Sequence, residues 1–320
     1  MKISVCPYPG FGRAQGALLR AEFGGPGEIG FADLRPWPEL GEADLTAQLD
    51  ALKRGHSTPA LEAALGLAAL DARARGSGQS LFAGLEIPAS HGAIRDVDWV
   101  AQQNSQTLIP AFARLEELGF TRFKLKLGLR SPSELATVLE SLAPALHPSQ
   151  KLRLDFNARG DEASLHRFCD QVAERSLLDA IDFIEDPTPG NPATWLRLSE
   201  RYGVRFAQDW VAREEQAPSG ILRIFKPCNE PMSRGLRASV VTHSMGHSLG
   251  LWAAAWVAAR LAVESPEQME APGLVALTIR EVAELAPSIP SPTLATPEGP
   301  GFGGSTTEFE SLAWQPWATV

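Results

Sequence analysis

Two lysines lie two positions apart in the segment FKLKLG, at Lys124 and Lys126. The alternation of apolar and basic residues is typical of a β-strand, in which side chains at i and i+2 leave the same face. Both ammonium groups are therefore expected to point into one place. The alternative is an ordinary edge strand protected by charge, and the residues that follow favour a catalytic pair.

Three later apolar runs end in a carboxylate and a fourth ends in a lysine. These runs place Asp155, Glu185, Asp209 and Lys226, and the intervals counted from Lys126 are 29, 30, 24 and 17 residues. A barrel of eight strand–helix units uses about 31 residues per unit, and its functional side chains gather at the C-terminal ends of strands. The spacing predicts that these side chains meet at one end of such a barrel.

Three converging carboxylates suit a hard divalent cation such as Mg²⁺, which prefers oxygen ligands. A second ammonium and a cation nearby favour the neutral form of a lysine, which can then act as a general base. The expected reaction is removal of a proton alpha to a carboxylate, with the metal stabilising the enediolate. The alternative is three unrelated strand-end acids that cap helices.

Composition limits the kind of protein and its partners. Of 320 residues, 44% are hydrophobic and the net charge is −9, which predicts a globular protein without a nucleic-acid partner. Cys6, Cys169 and Cys228 show no CxxC spacing and are expected to be reduced. The N-terminus lacks the apolar run of a signal peptide, and no apolar helix reaches the ~20 residues of a membrane span. We therefore expect a cytoplasmic protein with a small-molecule carboxylate substrate and no membrane partner; no pattern indicates an oligomeric state.

Two blocks of secondary structure are predicted. Residues 1–78 form an α+β module that residues 288–320 complete, and residues 79–287 alternate strands with helices, which implies a parallel sheet closed into a barrel. The expected strands of the first block are 3–5, 16–23 and 28–32, and its helices are 42–53 and 58–76. In the second block, we expect strands at 81–87 and 238–242 besides those ending in the site residues, and helices at 107–118, 131–146, 161–178, 191–202 and 249–261.

Two segments without periodicity, 7–16 and 34–41, are rich in Pro and Gly. One interpretation is a pair of surface loops. The other is a lid that closes over the barrel mouth, with Arg13 or Trp37 against the substrate.

With FKLKLG, LRLDFN, FIEDP, AQDW and FKP in this order, and the tail TPEGPGFGG, the chain resembles the muconate-lactonizing branch of the enolase superfamily. The resemblance covers nearly the whole chain. It implies an α/β fold, a modified (β/α)7β TIM-like barrel with an α+β capping domain. It also implies Mg²⁺, for which Mn²⁺ can substitute, held by Asp155, Glu185 and Asp209, and a reacting carbon surrounded by Lys124, Lys126 and Lys226.

Within that branch the o-succinylbenzoate synthase family is most similar, because the chain is short, Asn157 follows the first ligand, and APGL at 271–274 resembles the last barrel segment. That family dehydrates 2-succinyl-6-hydroxy-2,4-cyclohexadiene-1-carboxylate in menaquinone biosynthesis. The resemblance implies that Lys126 takes the alpha proton and returns it to the departing hydroxyl on the same face. Lys226 would cover the enediolate, and Lys124 would add positive charge near the carboxylate.

Candidate substrate contacts are Arg13, Asn157, His247 and Ser248. The backbone N–H groups at the helix start near His247 are expected to receive the succinyl carboxylate. Gly246 stands where many relatives carry an acid, which weakens this part of the resemblance. His243 and His247 have zinc-like spacing, but Gly246 interrupts a helix there and no third ligand is near in sequence.

Other functions stay open at this point. An N-succinylamino acid racemase needs two bases on opposite faces of a carbon, and Lys126 with Lys226 could supply them. A muconate cycloisomerase-like reaction is a further candidate. A catalytically silent barrel that binds a metal or ligand is disfavoured, because burying three lysines without chemistry to do costs stability.

Overall fold

Two β-sheets form the frame of the molecule, and the computed structural model describes residues 1–9, 15–25, 28–94, 108–127, 131–189, 192–209, 218–232, 240–276 and 291–320. The strands are β1 (Lys2–Pro9), β2 (Gln15–Glu22), β3 (Ile29–Leu34), β4 (Gly92–Ile94), β5 (Arg122–Lys126), β6 (Lys151–Asp155), β7 (Ile181–Glu185), β8 (Arg205–Gln208), β9 (Ile221–Phe225), β10 (Val240–Val241), β11 (Val275–Ala276) and β12 (Gln315–Thr319). An antiparallel sheet has the order β12-β1-β2-β3. A parallel sheet has the order β10-β9-β8-β7-β6-β5-β4-β11.

The predicted helices are all present. The helices of the described residues are α1 (Leu45–Lys53), α2 (Pro59–Gly76), α3 (Leu108–Glu117), α4 (Pro132–Leu142), α5 (Glu162–Glu174), α6 (Pro192–Tyr202), α7 (Ser248–Glu264) and α8 (Thr306–Glu310). Local sequence explains where they begin. Thr58 Oγ1 accepts the Leu61 N–H at 3.2 Å before α2, and Ser131 and Glu134 form the predicted capping box of α4.

The parallel sheet closes into a barrel. Its outer strands β10 and β11 meet where the Gly273 N–H donates to the Val241 carbonyl at 2.8 Å and Thr242 bridges to Gly273. Helices α3 to α6 each follow a strand from β4 to β7, and α7 lies between β10 and β11, in the pattern that the sequence predicts for a TIM-like fold. Closure removes both free edges of the sheet.

The register of the barrel strands aligns the predicted site residues. Lys126 lies opposite Asp155, and Asp155 lies opposite Glu185. Glu185 in turn lies opposite Ala207, so that Asp209 follows two residues beyond the next strand partner. Neighbouring residues in register point to the same face of a sheet, and the strand ends therefore collect their side chains on one side.

The strand predicted at 81–87 is wrong, because this apolar segment forms turns and the first barrel strand is β4. The Leu85 N–H donates to the Phe82 carbonyl at 3.0 Å, and the Leu81 N–H donates to the Gly301 carbonyl at 2.9 Å. Turns and the C-terminal tail thus satisfy the backbone groups that a strand would have paired. The apolar run is buried packing rather than a sheet element.

The C-terminal strand β12 joins the N-terminal sheet, so the expectation that the tail folds back on another element is confirmed. β12 pairs with β1 antiparallel, from Lys2 opposite Thr319 to Val5 opposite Gln315. The sheet, α1 and α2 form the capping module. The domain limits at 78/79 and 287/288 stay predictions.

A buried ion pair in α2 binds the backbone of the glycine-rich tail. Arg75 Nε is 2.6 Å from Asp71 Oδ2. Asp71 Oδ1 accepts the Phe302 N–H at 2.9 Å, while Arg75 donates to the carbonyls of Gly303 at 2.8 Å and Gly304 at 3.0 Å. The pair therefore holds the tail through charge-assisted hydrogen bonds, and Gly301 has no room for a side chain because Asp71 lies against its backbone.

A second buried arginine explains the APGL segment. Arg153 donates to Asp182 Oδ2 at 2.8 Å, to His91 Nδ1 at 2.8 Å and to the Ala271 carbonyl at 2.5 Å. Burial and then the charge of Arg153 lower the pKa of His91, so the ring accepts as a neutral imidazole. Arg153 thereby ties β6 to the segments that precede the first and the last barrel strands.

Helix α7 is buried on nearly all sides, since it packs against β10 of the barrel and β3 of the capping sheet. Its run of alanines around Trp252 and Trp256 allows close approach from both directions.

None of the helices that the structure describes has the length and apolarity needed to cross a membrane.

The three cysteines are free thiols, as predicted. Cys169 and Cys228 are buried, and Cys6 is half-buried. Burial raises the pKa of the Cys169 thiol to about 12. The buried thiols therefore act as small apolar packing groups.

The first prediction concerns the tail contact. A Cβ on Gly301, whose φ is +64°, would lie 2.0 Å from Asp71 Oδ1. Gly301→Ala should therefore displace Asp71 from its hydrogen bonds, besides straining a left-handed backbone. We expect a loss of unfolding free energy of about 3 kcal/mol, of which about 1–2 kcal/mol is the backbone strain.

Gly78→Ala is the matched control, because Gly78 has φ +67° and no atom lies within 4 Å of the place where its Cβ would be. It should lose only the backbone contribution. Urea unfolding measures both variants, and equal losses would show that Asp71 does not need the space at Gly301.

Candidate active site

Lys124 lies between two carboxylates at the centre of the barrel's C-terminal end. Its Nζ is 2.7 Å from both carboxylate oxygens of Glu185 and 2.9 Å from Asp155 Oδ2. All three side chains are buried. Burial by itself would lower the pKa of Lys124. The charges of Asp155 and Glu185 together outweigh this effect, so the pKa of Lys124 lies above its ordinary value. Lys124 is therefore a permanent cation at neutral pH.

Lys126 shares the Asp155 carboxylate but faces outward. Its Nζ is 3.2 Å from Asp155 Oδ2 and 3.2 Å from Asn157 Oδ1. The side chain of Lys126 is 31% exposed, against 10% for Lys124. The two lysines thus meet at one place, as the i, i+2 spacing predicts, and Lys126 is the one that a substrate can reach.

Lys226 pairs with Asp209 on the opposite side of the cluster. Its Nζ contacts both carboxylate oxygens of Asp209. The ammonium also lies 5.5 Å from the ring centroid of Trp37, which the capping module contributes. The side chain of Lys226 is only 7% exposed.

The buried carboxylates influence one another. Burial and then the charge of Asp155 raise the pKa of Glu185 to about 7. Burial also acts to raise the pKa of Asp155, yet Lys124 and Lys126 hold it below its usual range. A further cation at this place would relieve the repulsion between the acids.

The donor set fits a hard divalent cation such as Mg²⁺, because it consists of carboxylate oxygens on adjacent strand ends that already share one positive charge. Asp155 and Glu185 both contact the Lys124 ammonium. Across the part of the chain that the structure describes, however, no three His, Cys, Asp or Glu side chains converge as a ready metal site. The carboxylates engage lysines instead, and the ligand roles of Asp155, Glu185 and Asp209 stay predictions.

Asp186 is a buried acid that the sequence reasoning missed, although it stands in the FIEDP motif. Its Oδ1 accepts the backbone N–H of Asp209 at 3.0 Å. Asp186 adopts φ +41°, and Asn157 and Ala158 adopt φ +49° and +54°. The Ala158 N–H donates to the Asp186 carbonyl at 2.7 Å. The strained loops that follow β6 and β7 are thus hydrogen-bonded to each other, and Asp186 fixes the backbone at Asp209.

The helix start at His247 is held by groups of the protein itself. The His247 N–H donates to Asp33 Oδ2 and to Tyr8 Oη, both at 3.1 Å, and the Leu249 N–H donates to His247 Nδ1 at 3.1 Å. Burial lowers the pKa of His247 to about 4, so its ring is a neutral helix cap. A carboxylate does lie at this helix start, but it belongs to Asp33 of the capping sheet.

The remaining predicted contacts have mixed outcomes. Ser248 is buried, with its Oγ 3.5 Å from His247 Nδ1. His243 Nδ1 accepts the Met245 N–H at 3.2 Å, and His243 and His247 belong to no metal cluster among the described residues. Arg13 lies outside the described residues. The substrate-binding roles of Arg13, Asn157, His247 and Ser248 stay predictions.

Two family models match the chain. The model described as "O-succinylbenzoate synthase, N-terminal domain" matches residues 11–74. The model described as "Enolase C-terminal domain-like" matches residues 109–213, the range that holds Lys124, Lys126, Asp155, Glu185 and Asp209. The two matches fall on the capping module and on the barrel.

Curated relatives and solved structures agree with these models. An o-succinylbenzoate synthase of Bdellovibrio bacteriovorus is 32% identical over 57% of this chain and 51% of the relative. One of Thermosynechococcus vestitus is 30% identical over 54% of this chain and 52% of the relative. The matches thus span about half the length of these relatives. The muconate lactonizing enzyme from Pseudomonas putida has the same fold, with a TM-score of 0.69 and 18% identity over 96% of each chain.

The second prediction concerns Asp186. Asp186→Ala should weaken Mg²⁺ binding about tenfold, because Asp209 loses the hydrogen bond that fixes its backbone. Asp186→Asn keeps an acceptor oxygen and should bind Mg²⁺ more tightly than Asp186→Ala. Titration calorimetry with Mg²⁺ measures both. Equal affinities of the alanine variant and the unmodified protein would exclude this positioning role.

The third prediction uses the pKa of Asp33, which burial raises to about 7. Tyr8 and the His247 N–H donate to this carboxyl, and the nearby Arg35 charge favours its ionised form, but burial dominates. The contribution of Asp33 to stability is therefore full below about pH 4 and is lost as pH rises through about 7.

Asp33→Asn cannot ionise, so the protein should lose unfolding free energy relative to this variant between pH 4 and pH 8. Asp179→Asn, at an exposed position, is the control and should follow the unmodified protein. Urea unfolding at several pH values measures the difference. A difference that does not change with pH would contradict the raised pKa.

Proposed function

The chain belongs to the enolase superfamily, and we propose that it is an o-succinylbenzoate synthase. The proposal is supported by the family model matched at residues 11–74 and by two curated relatives with that name. Within the site, the supporting observation is that the side chains of Lys126 and Lys226 are unequally exposed, at 31% and 7%. One accessible lysine suits a reaction in which the same group takes and returns a proton.

The proposed reaction is a syn elimination of water. Lys126, as general base, removes the proton from C1 of 2-succinyl-6-hydroxy-2,4-cyclohexadiene-1-carboxylate, and the electron pair moves into the carboxylate to give an enediolate. Lys126 then returns the proton to the C6 hydroxyl as the C–O bond breaks. Water leaves, the ring becomes aromatic, and Lys126 has given back the proton that it took. No other reactant is needed.

The remaining charged groups stabilise the intermediate. Lys124 is a fixed cation beside Asp155 and Glu185, and Lys226 places a second ammonium across the cluster. Both would offset the negative charge that develops on the substrate carboxylate. Mg²⁺, held by Asp155, Glu185 and Asp209, would act as a Lewis acid on that carboxylate. Asn157, which contacts Lys126, would orient the base.

An N-succinylamino acid racemase is the second candidate. It is favoured by the placement of Lys126 and Lys226 at the ends of separate strands, β5 and β9, which allows approach to a carbon from two sides. It is disfavoured by the burial of Lys226 against Asp209. A muconate cycloisomerase-like reaction rests on likeness of fold alone.

The fourth prediction tests the dehydration. The protein with Mg²⁺ should convert the cyclohexadiene substrate to the aromatic product, followed by ultraviolet absorbance, and a chelator should stop the reaction until Mg²⁺ is restored. Lys126→Ala should lower kcat by about 10³-fold or more, since it removes the general base and acid. Lys151→Ala is the control, because Lys151 begins the neighbouring strand and binds the Asp179 carbonyl instead.

Three outcomes would contradict parts of the proposal. An active Lys126→Ala protein would exclude the assigned base, and turnover that resists chelation would exclude the metal role. The racemase would be favoured if the protein exchanges the alpha proton of both enantiomers of an N-succinylamino acid in D₂O but does not dehydrate the cyclohexadiene.

A further inference from the structure

Trp37, a residue of the capping module, lies against a charged group of the active site. Its ring centroid is 5.5 Å from Lys226 Nζ, which is within the range of a cation–π interaction. Arg35 lies over the same indole, with its guanidinium carbon 5.8 Å from the centroid. Trp37 is only half-buried, so its placement is not explained by core packing.

The segment that carries Trp37 is tied to the barrel through a buried amide. Asn229 Nδ2 donates to the Arg35 carbonyl at 2.8 Å and to Glu42 Oε2 at 3.1 Å. Glu42 Oε2 also accepts the backbone N–H of Trp37 at 2.5 Å. Asn229 is fully buried, and such an amide needs its partners because leaving it unsatisfied costs ~1–3 kcal/mol.

Asn229 also belongs to the turn that carries Lys226. The Asn229 N–H donates to the Lys226 carbonyl at 2.9 Å, and Ser244 Oγ donates to Asn229 Oδ1. One turn therefore carries the lysine and, through Glu42, holds the backbone of Trp37 beside it. The hydrogen bonds join residues of three separate segments, at 35–42, 226–229 and 244.

Lys226 needs a second partner if Asp209 has another task. Asp209 contacts the Lys226 ammonium through both oxygens. A carboxylate that also binds a metal attracts the lysine less strongly. A neutral aromatic face can hold an ammonium without forming an ion pair. The indole therefore gives the Lys226 ammonium a second contact that does not depend on Asp209.

We propose that Trp37 is a positioning residue for Lys226, held over its ammonium by Glu42 and Asn229. This proposal rests on the proposed function, in which the Lys226 cation stabilises the enediolate. In this role Trp37 contacts the lysine and not the reacting atoms. It acts on the transition state through the lysine, and it makes the capping module part of the catalytic apparatus.

The test begins with steady-state kinetics of the dehydration in Mg²⁺. Trp37→Leu should lower kcat about tenfold with little change in KM, because the lost interaction is one that the charged transition state uses. Trp37→Phe keeps an aromatic face and should recover most of the activity. Trp317→Leu is the control, since Trp317 has its own cation–π contact, with Lys53 at 3.7 Å, in the distant capping sheet.

A spectroscopic measurement separates positioning from a general structural effect. Proton–carbon NMR of protein with labelled lysine, with the Lys226 signal assigned by Lys226→Met, should show the Lys226 Hε resonance shifted upfield by the indole ring. Trp37→Leu should abolish this shift, and Trp317→Leu should leave it unchanged. The resonance does not depend on turnover.

The outcomes can be told apart. An unchanged kcat for Trp37→Leu, a change in KM alone, or a Lys226 resonance that does not respond would overturn the positioning role. If the unmodified protein fails to dehydrate the substrate while the resonance responds as expected, the proposed function fails and the contact between Trp37 and Lys226 stands.

Discussion

An ammonium held between two buried carboxylates is the interaction on which the site depends. Lys124 of β5 contacts Asp155 of β6 and Glu185 of β7, and all three side chains are buried. Removing one partner would leave an uncompensated buried charge, which costs far more than an exposed one. The register of β5, β6 and β7 is therefore strongly specified, since a slip of one residue would turn each of these side chains to the other face.

The capping module meets the barrel through buried polar groups rather than through apolar contact alone. Asp33 accepts the backbone N–H at the start of α7, and Asn229 binds the segment that carries Trp37. Such contacts are directional, so they specify orientation where apolar surfaces would tolerate sliding. The tail is held in the same manner by Asp71 and Arg75. Accurate docking matters here because the module reaches a lysine of the site.

The charged groups of the site differ in their exposure. Lys124 is enclosed and fixed as a cation, whereas Lys126 shares the same carboxylate but opens to the exterior. Two lysines of one strand therefore differ in what they can do, although they are two residues apart. Environment rather than residue type separates an enclosed cation from an ammonium that is open to the exterior. Glu185, whose pKa burial raises, completes a cluster that an added cation would stabilise.

The sequence by itself determined the barrel and the composition of its charged end. Strand spacing, the two-residue period of Lys124 and Lys126, and carboxylates at strand ends are local patterns, as are the helix caps. Tertiary structure alone decided the contacts of Asp33, Trp37, Asp186 and Asn229, and it placed the first barrel strand at β4 instead of 81–87. These features depend on contacts such as that of Trp37 with Lys226, between segments far apart in the chain. No periodic pattern encodes such a contact, because packing and the need to satisfy buried polar groups select it only when the whole chain has folded.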